Sequence, residues 1–399
     1  LFNLRGSDVD YNPVFLAHAL VDTREATLFV GAGKISAQLQ AALLQDGVRV
    51  VDYADARAAL AALPASAVLL LDPKRVTLGL REGAGTAVRV VEALNPSVLL
   101  KSRKNAAEAA HIRQAMEQDG AAMCAFYAWF EAAMARGERL TELTVDEMLT
   151  AERARRPGFK GLSFNTIAGF NANGAMPHYR ATPESHAVIA GDGLLLIDSG
   201  GQYLGGTTDI TRVWPIGTPS AAQKRDYTLV LKGTIGLSRT QFPLGTLSPM
   251  LDALARAPLW AAGCDYGHGT GHGVGYFLNV HEGPQSISKA IPDATMAMQP
   301  GQVTSIEPGL YRPGQWGVRI ENLVLNVAAP STEPFGEFLA FETLTLCPID
   351  TRCVDLSLLR PDEVQWLNAY HASVRERLQP LVDGAARDWL LERTQPLCG

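Results

Sequence analysis

Four acidic residues lie inside or directly after apolar runs that are typical of buried β-strands. They are Asp198, Asp209, Glu307 and Glu321, in the runs LLLID, TTDIT, TSIE and VRIE. An unpaired charge in such a strand costs several kcal/mol. One acid of this kind is readily explained as a surface carboxylate, but a set of four is not. The chain must fold so that a cation compensates these carboxylates.

Both pairs of acids are placed symmetrically about a turn. Asp198 and Asp209 are equidistant from the midpoint of LLLIDSGGQYLGGTTDITRVW, between positions 203 and 204. Glu307 and Glu321 are equidistant from Gly314 in VTSIEPGLYRPGQWGVRIENLVLN. Antiparallel pairing about these centres would place opposed carboxylates with Cβ atoms about 5 Å apart. We therefore predict two hairpins, each delivering two carboxylates to one site.

A histidine-rich and glycine-rich stretch, GHGTGHGVGYFLNVHEGP, lies between the two hairpins and carries His268, His272 and His281. Four carboxylates and one imidazole form an oxygen-rich site that suits Mn²⁺ better than a structural zinc. Bridging carboxylates can hold two ions about 3.5 to 4 Å apart, with a water between them whose pKa falls towards neutrality. One histidine would complete the metal site, and the others, with His178 as a further candidate, could donate to a carbonyl oxygen. The remaining histidines are interpreted as structural: His18, His111, His186 and His371.

The composition excludes several other classes of protein. A net charge of -6, with 47% hydrophobic and 19% charged residues, gives no reason to expect nucleic-acid binding. The apolar runs are too short to span a membrane. Five scattered cysteines favour reduced thiols and a cytoplasmic location. The GAGK at 31–34 lacks the spacing of a phosphate loop and is interpreted as a turn, and no GxGxxG or HExxH occurs.

The pattern along the chain predicts three parts: residues 1–104, 105–350 and 351–399. In the first, strand-like runs (ATLFV, VRVVDY, AVLLL, SVLLK) alternate with helix-like stretches (ISAQLQAALLQDG, ADARAALAAL), as in an α/β layer. The basic run at 101–104 is interpreted as a solvated linker. A long helix ending at Gly137 follows, then a helix capped by Thr144, then strands and glycine turns with a helix near 220–240. Two helices close the chain.

The motifs IDSGGQYLGGTTDITR, GHGTGHGVGYFLNVHEGP, SIEPGLY and VRIEN resemble the aminopeptidase P branch of the pita-bread metallopeptidases. The resemblance extends over effectively the whole chain and is strongest to the long, three-domain, eukaryotic-type cytosolic enzymes. It implies an α+β fold, with a pita-bread (creatinase/aminopeptidase) catalytic domain preceded by a partial α/β domain of the creatinase N-terminal, ribonuclease H-like type. Complete members carry two whole domains before the catalytic one, so we expect this chain to begin inside the middle domain at LFNLRG.

The resemblance also implies a role for each candidate residue. Asp198 would bind the first metal, and Asp209 and Glu321 would bridge both. His272 and Glu307 would hold the second metal, and Glu307 would take the proton from the bridging water. Further residues match substrate and transition-state positions, or positions just outside the ligands: His178, His268, His281, Tyr311 and Arg319.

The implied reaction is hydrolysis of the bond between an N-terminal residue and a following proline, by a hydroxide bridging two divalent ions. We expect Mn²⁺, with Zn²⁺ or Co²⁺ as alternatives, peptide substrates with proline in the second position, and a cytoplasmic homodimer. A metal that polarises the carbonyl oxygen suits a proline bond, which has no N–H to grip. A pocket near His268, Tyr311 and Arg319 would accept the proline ring.

Two alternatives use the same scaffold. A prolidase would share the five ligands but cleave only dipeptides, and a binding module would have lost catalysis. The C-terminal segment NAYHASVRERLQPLVDGAARDWLLERTQPL favours the aminopeptidase, because it resembles the extension of that branch.

Overall fold

The computed structural model describes residues 1–398, which form two compact units. One comprises Leu1–Val9 and Pro13–Leu100, and the other comprises Asp10–Asn12 and the chain from Lys101 onwards. The helices are α1 (Ala37–Gln45), α2 (Ala56–Ala61), α3 (Leu78–Arg81), α4 (Pro96–Ser102), α5 (Ala106–Ala135), α6 (Glu142–Ala154), α7 (Ala221–Ser238), α8 (Asp252–Ala261), α9 (Pro361–Leu378) and α10 (Gly384–Arg393).

The strands are β1 (Ala17–Val21), β2 (Ala26–Val30), β3 (Val48–Asp52), β4 (Val68–Leu71), β5 (Arg89–Glu92), β6 (Leu140–Thr141), β7 (Phe159–Leu162), β8 (Ile167–Phe170), β9 (Val188–Ile189), β10 (Gly193–Ser199), β11 (Gly201–Tyr203), β12 (Gly206–Thr207), β13 (Ile210–Ile216), β14 (Gln241–Pro243), β15 (Gly271–His272), β16 (Ser286–Ile287), β17 (Val303–Ile306), β18 (Gly309–Arg312), β19 (Trp316–Arg319), β20 (Asn322–Ala329) and β21 (Phe338–Thr343).

The first unit is an α/β layer. Its sheet has the order β1-β2-β3, with β1 antiparallel and β3 parallel to β2, and β4 pairs in parallel with β5. The SVLLK run was predicted as a strand, and that prediction is wrong because it belongs to α4. Pro96 occupies the first turn of this helix, where its fixed φ is favourable, and the leucines that follow are good helix formers. The GAGK segment forms a turn, as predicted.

The second unit opens with α5, whose first turn is closed by a capping box between Asn105 and Glu108. The helix ends before Gly137, which has a φ of +72°. The end is where the sequence predicted it. The prediction that Thr144 caps α6 is wrong, because the capping side chain is that of Thr141, which accepts the Thr144 backbone N–H. Thr144 occupies the third helical position and completes the box.

Two sheets position the four acidic site residues, which lie in or directly beside their strands. One has the order β13-β10-β8, and the other has the order β14-β21-β20-β17. All seven residues of β10 and all seven of β13 are buried, so both faces of each strand are covered. The Trp214 ring on β13 stacks on Tyr127 of α5 and Trp389 of α10, with centroids 4.1 and 5.5 Å away. The closing helices are therefore part of the same core.

The two hairpins differ from each other in how far they follow the predicted register. In the first, Asp198 pairs with Thr211, so the prediction that Asp198 directly opposes Asp209 is wrong by two residues. A two-residue turn joins Tyr203 to Gly206 and moves the centre of symmetry. A shift of two leaves each side chain on its predicted face. In the second hairpin, the pairs on both sides of the turn are symmetric about Gly314, as predicted.

The basic run at 101–104 is not a solvated linker, so this prediction is wrong. Lys104 is buried, and its Nζ donates to the Val274 carbonyl oxygen at 2.5 Å. Burial lowers the pKa of Lys104 to about 8. Lys101 Nζ lies 2.9 Å from a carboxylate oxygen of the buried Glu282. Both lysine side chains therefore contact residues of the histidine-rich stretch.

All five cysteines are free thiols. Among the described residues, no helix combines the length and the apolar character that crossing a bilayer requires.

Candidate metal centre

A cavity of about 510 Å³ collects nine of the ten predicted site residues in its lining. Those nine are Asp198, Asp209, Glu307, Glu321, His178, His268, His272, His281 and Arg319. Tyr311, the tenth, does not line the cavity. Residues more than 140 positions apart in sequence are thus brought to one place.

Asp209, His272 and Glu321 form a compact cluster at this site. Each offers one potential ligand atom, and these three atoms lie within 4.8 Å of one another. His272 Nε2 is 3.5 Å from Asp209 Oδ2 and 3.4 Å from Glu307 Oε1. Asp198 lines the same cavity. These separations leave room for a cation between the side chains.

His272 is oriented by its own backbone surroundings. Its backbone N–H donates to Ser305 Oγ at 3.0 Å, and Ser305 Oγ in turn donates to Glu307 Oε1 at 3.2 Å. Its Nδ1 lies 3.0 Å from the Gly273 carbonyl oxygen, which can only accept, so Nδ1 carries the proton. The lone pair of Nε2 is therefore free and directed at the acids, the arrangement typical of a histidine that binds a metal.

The glycines on either side of His272 allow this strand to pack closely. A Cβ on Gly271 would lie 1.9 Å from the Ser305 carbonyl oxygen, and one on Gly273 would lie 2.1 Å from the Glu282 carbonyl oxygen. Both would clash with backbone. These two glycines are needed because strands approach one another here.

The chemistry of the donor set fits divalent cations. Within the set of candidate ligands, three buried atoms have no hydrogen-bond partner among the described residues: Asp198 Oδ1, His272 Nε2 and Glu321 Oε1. Burial and the neighbouring carboxylates raise the pKa values of Asp209 and Glu321 well above their usual range, and burial raises that of Glu307. Without a cation these acids would resist ionisation. An oxygen-rich set with one imidazole suits a hard divalent ion.

Arg319 connects the acids to the residues around them. The guanidinium is buried, and its Nη2 donates to Asp198 Oδ2 at 2.6 Å. Its Nη1 donates to Tyr311 Oη at 2.7 Å, and its Nε donates to Thr211 Oγ1 at 3.2 Å. Thr211 Oγ1 donates to Glu321 Oε2 at 2.8 Å. The contacts of Tyr311 and Arg319 are thus with ligand candidates and their neighbours, and Arg319 neutralises one carboxylate.

His268 is held at both ring nitrogens. Nδ1 donates to the Gly269 carbonyl oxygen at 2.8 Å, and Nε2 accepts from Tyr311 Oη at 2.8 Å. Arg256 donates to the His268 carbonyl oxygen and fixes the backbone. Burial lowers the pKa of His268 to about 4, so the ring is neutral at pH 7. In this conformation neither nitrogen is available to a substrate, although the residue lines the cavity.

His178 and His281 differ from His268, because both are exposed and neither ring makes a hydrogen bond to a described residue. The His281 ring lies edge-on to His272, with centroids 4.2 Å apart. Partial burial, together with the neighbouring His272 ring, lowers the pKa of His281 to about 4. These two imidazoles have ring nitrogens free to meet a ligand.

The loop that carries His178 is anchored from inside the protein. Glu142 is fully buried and accepts from the backbone N–H of Phe170 and of Ala187, each at 2.7 Å. It also accepts from Tyr179 Oη at 2.8 Å. Tyr179 lines the cavity together with the residues on either side of it, so these contacts of Glu142 fix one wall of the site.

Sequence reasoning missed three residues of the site: Thr211, Ser305 and Arg180. Each lies two positions from a residue that was singled out, namely Asp209, Glu307 and His178. Thr211 and Ser305 lie on strands, where alternate residues share a face, so this spacing was a usable signal for those two residues. Arg180 follows a turn, where the spacing carries no such information. The other histidines have structural contacts: His18 stacks on Tyr53, His111 contacts Tyr276, His186 contacts the Thr182 carbonyl, and the buried His371 accepts from the Ile349 N–H.

Three family models match the chain. Metallopeptidase family M24 matches residues 110–327, the C-terminal region of that peptidase matches 337–397, and the Creatinase/Prolidase N-terminal domain matches 1–108. The chain therefore belongs to metallopeptidase family M24. The expected fold class is confirmed, with a pita-bread domain preceded by a creatinase-type N-terminal domain.

The individual relatives are aminopeptidases and prolidases. A probable Xaa-Pro aminopeptidase P of Coprinopsis cinerea is 41% identical over 100% of this chain and 67% of its own length. The X-prolyl aminopeptidase of Caenorhabditis elegans, described as a cytosolic enzyme with a di-nuclear active site, aligns with a TM-score of 0.94 at 34% identity. That alignment covers 99% of this chain and 66% of the other. The prolidase of Pyrococcus furiosus aligns at 0.63 and 25% identity, over 82% of this chain and 89% of its own.

This chain spans between 60% and 67% of the length of the first curated relatives that it matches. The resemblance to the aminopeptidase P branch is confirmed by these relatives.

Proposed function

We propose that this chain carries the catalytic centre of a metal-dependent aminopeptidase that hydrolyses the N-terminal Xaa-Pro bond of peptides and releases the first amino acid. The observation that carries the proposal is the cluster of Asp209, His272 and Glu321, with unpartnered buried atoms that face an open cavity. Relatives that are named as aminopeptidases P align over the whole chain.

We propose that two divalent ions bind at this cluster and that they are Mn²⁺, with Zn²⁺ or Co²⁺ as alternatives. The ligands would be Asp198, Asp209, His272, Glu307 and Glu321. When bound, such ions polarise a carbonyl oxygen and lower the pKa of a coordinated water. The other steps belong to side chains of the chain itself.

Glu307 would take the proton of the attacking water. It is the acid of the set whose side chain keeps a substantial exposed fraction, 18%, and burial raises its pKa. A raised pKa makes a carboxylate a better proton acceptor. Asp209 and Glu321 are more deeply buried and would hold the ions.

The free imidazoles of His178 and His281 would hydrogen-bond the substrate and the oxyanion that forms as the carbonyl is attacked. His268 would contribute its neutral ring to the wall against which the proline packs. Tyr311 and Arg319 would position His268 and Asp198 through the contacts described above.

The proline bond explains why a metal centre is the appropriate device. The bond has no N–H, and proline restricts the backbone of the residue before it. A site that binds the carbonyl oxygen and the free amino group of the substrate does not need a backbone N–H at the scissile bond.

We further propose that the catalytic domain extends over residues 105–350, that residues 1–104 form the α/β domain before it, and that 351–399 form a helical extension. The last residue, 399, lies outside the described part of the chain. A cytoplasmic homodimer that acts on peptides with proline in the second position remains our expectation.

The experiment compares three peptides with Mn²⁺ added: Ala-Pro-Ala, the dipeptide Ala-Pro, and Ala-Ala-Ala. We expect release of the first alanine from Ala-Pro-Ala only, measured by chromatography. Cleavage of the dipeptide alone would favour the prolidase instead. Absence of hydrolysis of all three peptides, with metal bound, would favour the non-catalytic binding module.

A further inference from the structure

Arg180 is a cation in the cavity lining that has no counter-ion. Its exposed side chain makes no ion pair and no hydrogen bond with any described residue. The other arginine of the lining, Arg319, is occupied by Asp198, Tyr311 and Thr211. One guanidinium is therefore free to bind a ligand that enters the cavity.

The position of Arg180 is fixed by the residue before it. Tyr179 is buried, and its hydroxyl donates to Glu142 Oε2 at 2.8 Å. Glu142 also holds the two ends of the loop, through the N–H groups of Phe170 and Ala187. The guanidinium thus extends from an anchored backbone, which lowers the entropy that is lost when it binds a partner.

The chemistry of a peptide decides which partner suits this cation. A peptide substrate carries an ammonium group at its amino end, which a guanidinium repels. Its carboxylates lie at the carboxyl end or on acidic side chains, and a guanidinium binds a carboxylate through two parallel hydrogen bonds. Arg180 would therefore also orient the peptide, with its amino end away from this side of the cavity.

We propose that Arg180 is a specificity-determining residue that binds a peptide carboxylate downstream of the scissile bond. This inference rests on the proposed function. The carboxylate is either the C-terminal group of a short peptide or the side chain of an acidic residue after the proline. The first source would make the enzyme prefer short peptides, and the second would make it prefer acidic sequences.

Matched pairs of peptides test the proposal and separate the two sources. Ala-Pro-Ala is compared with its C-terminal amide, and the amide of Ala-Pro-Glu is compared with the amide of Ala-Pro-Gln. For each pair, the ratio of kcat/KM for the charged over the uncharged peptide is measured in the wild type and in Arg180→Gln.

We expect the ratio in at least one pair to fall about fivefold in Arg180→Gln, the size of effect that a partly exposed charge pair gives. Arg180→Lys should keep part of the ratio, because it retains the charge but not the paired geometry. Raising NaCl from about 0.05 to about 0.5 M should lower the wild-type ratio, because salt screens an exposed pair. If the ratio falls for Ala-Pro-Ala and its amide, the bound group is the C-terminal carboxylate. If the ratio falls for the amides of Ala-Pro-Glu and Ala-Pro-Gln, the bound group is an acidic side chain.

Arg387→Gln is the matched control, because Arg387 is an exposed arginine of α10 that also has no ion pair to a described residue. It should keep the wild-type ratios. Equal ratios in wild type and Arg180→Gln for both pairs would overturn the proposal. So would an effect confined to peptides with an acidic first residue, tested with the amides of Glu-Pro-Ala and Gln-Pro-Ala.

Calorimetric binding of the same pairs to the metal-free protein separates this inference from the proposed function. If no peptide is hydrolysed but the charged peptide still binds about fivefold more tightly in an Arg180-dependent manner, the function fails and the carboxylate site stands. If hydrolysis occurs and neither ratio depends on Arg180, the function stands and this inference fails.

Discussion

The strand β13 has two faces, and both bury polar groups, but only one face satisfies them. On one face lies Arg212, which is fully buried. Its guanidinium donates to six acceptors: the carbonyl oxygens of Thr211, Glu321, Cys347 and Pro348, the side-chain oxygen of Asn322 and the hydroxyl of Tyr370.

On the other face, Thr211 contacts Glu321 and Arg319, among acids that keep unpartnered oxygens. A buried polar group that completes its hydrogen bonds inside the chain serves the fold. A buried polar group that lacks some of its hydrogen bonds destabilises the fold until a ligand binds it. Adjacent residues of one strand can thus be assigned to stability and to ligand binding by counting their hydrogen bonds.

The largest effect is expected from the satisfied face. Replacing Arg212→Met removes the donor from six buried acceptors and should lower the free energy of unfolding by about 4 kcal/mol. Urea denaturation measures this loss. Arg387→Met, an exposed control on α10, should change stability by less than about 0.5 kcal/mol. Similar small losses in both variants would contradict the structural role of Arg212.

The unsatisfied face should respond with the opposite sign. In metal-free protein, Glu321→Gln replaces a buried acid whose pKa is raised by burial and neighbouring carboxylates with a side chain that has no ionised form to suppress, and should raise the free energy of unfolding by about 1 kcal/mol. The Gln side chain keeps an oxygen that can accept from Thr211.

Glu363→Gln is the matched control, because Glu363 is also buried but pairs with Lys232 at 2.6 Å. It should destabilise the protein. A loss of stability in both variants would mean that the two kinds of buried acid do not differ.

The smallest effect concerns His371, which packs on the satisfied side near Arg212. Burial, together with the charge of Arg212, lowers the pKa of His371 to about 4. Between these two pKa values the unfolded state binds a proton at this residue and the folded state does not. Stability is therefore lost as pH falls from about 6.5 towards 4.

Between pH 7.5 and pH 6 this group should account for roughly 0.8 kcal/mol of lost stability. His371→Gln keeps an acceptor for the Ile349 N–H and should show a flatter pH profile. Identical profiles in the two proteins would contradict the assigned shift.

The sequence was sufficient where local chemistry decides the outcome. The hairpin around Gly314 has the predicted register because its turn is symmetric and rests on a glycine at positive φ. The other hairpin closes through a two-residue turn at Leu204 and Gly205, and a glycine-rich stretch offered several equivalent centres. The face of Asp198 was still predicted, because a shift by two preserves it.

What could not be predicted depends on partners distant in sequence. Lys104 is buried beside a carbonyl oxygen 170 positions away that accepts a hydrogen bond from its Nζ. His268 is engaged at both nitrogens because Tyr311, itself held by Arg319, reaches it. No periodicity in the sequence encodes such contacts. Arg180 escaped notice for another reason, since a free charge on a surface loop is ordinary until a cavity is seen beside it.

We expect metal ions to complete the side of β13 on which the acids keep unpartnered oxygens. Dialysis against Mn²⁺ followed by elemental analysis measures this directly, in the wild type and in Asp209→Ala, with circular dichroism to show that the variant is folded. Asp209→Asn provides a second variant of nearly unchanged shape. We expect about two ions per wild-type chain and their loss in both variants. A wild-type protein that binds no ion, or folded variants that keep both ions, would contradict the account.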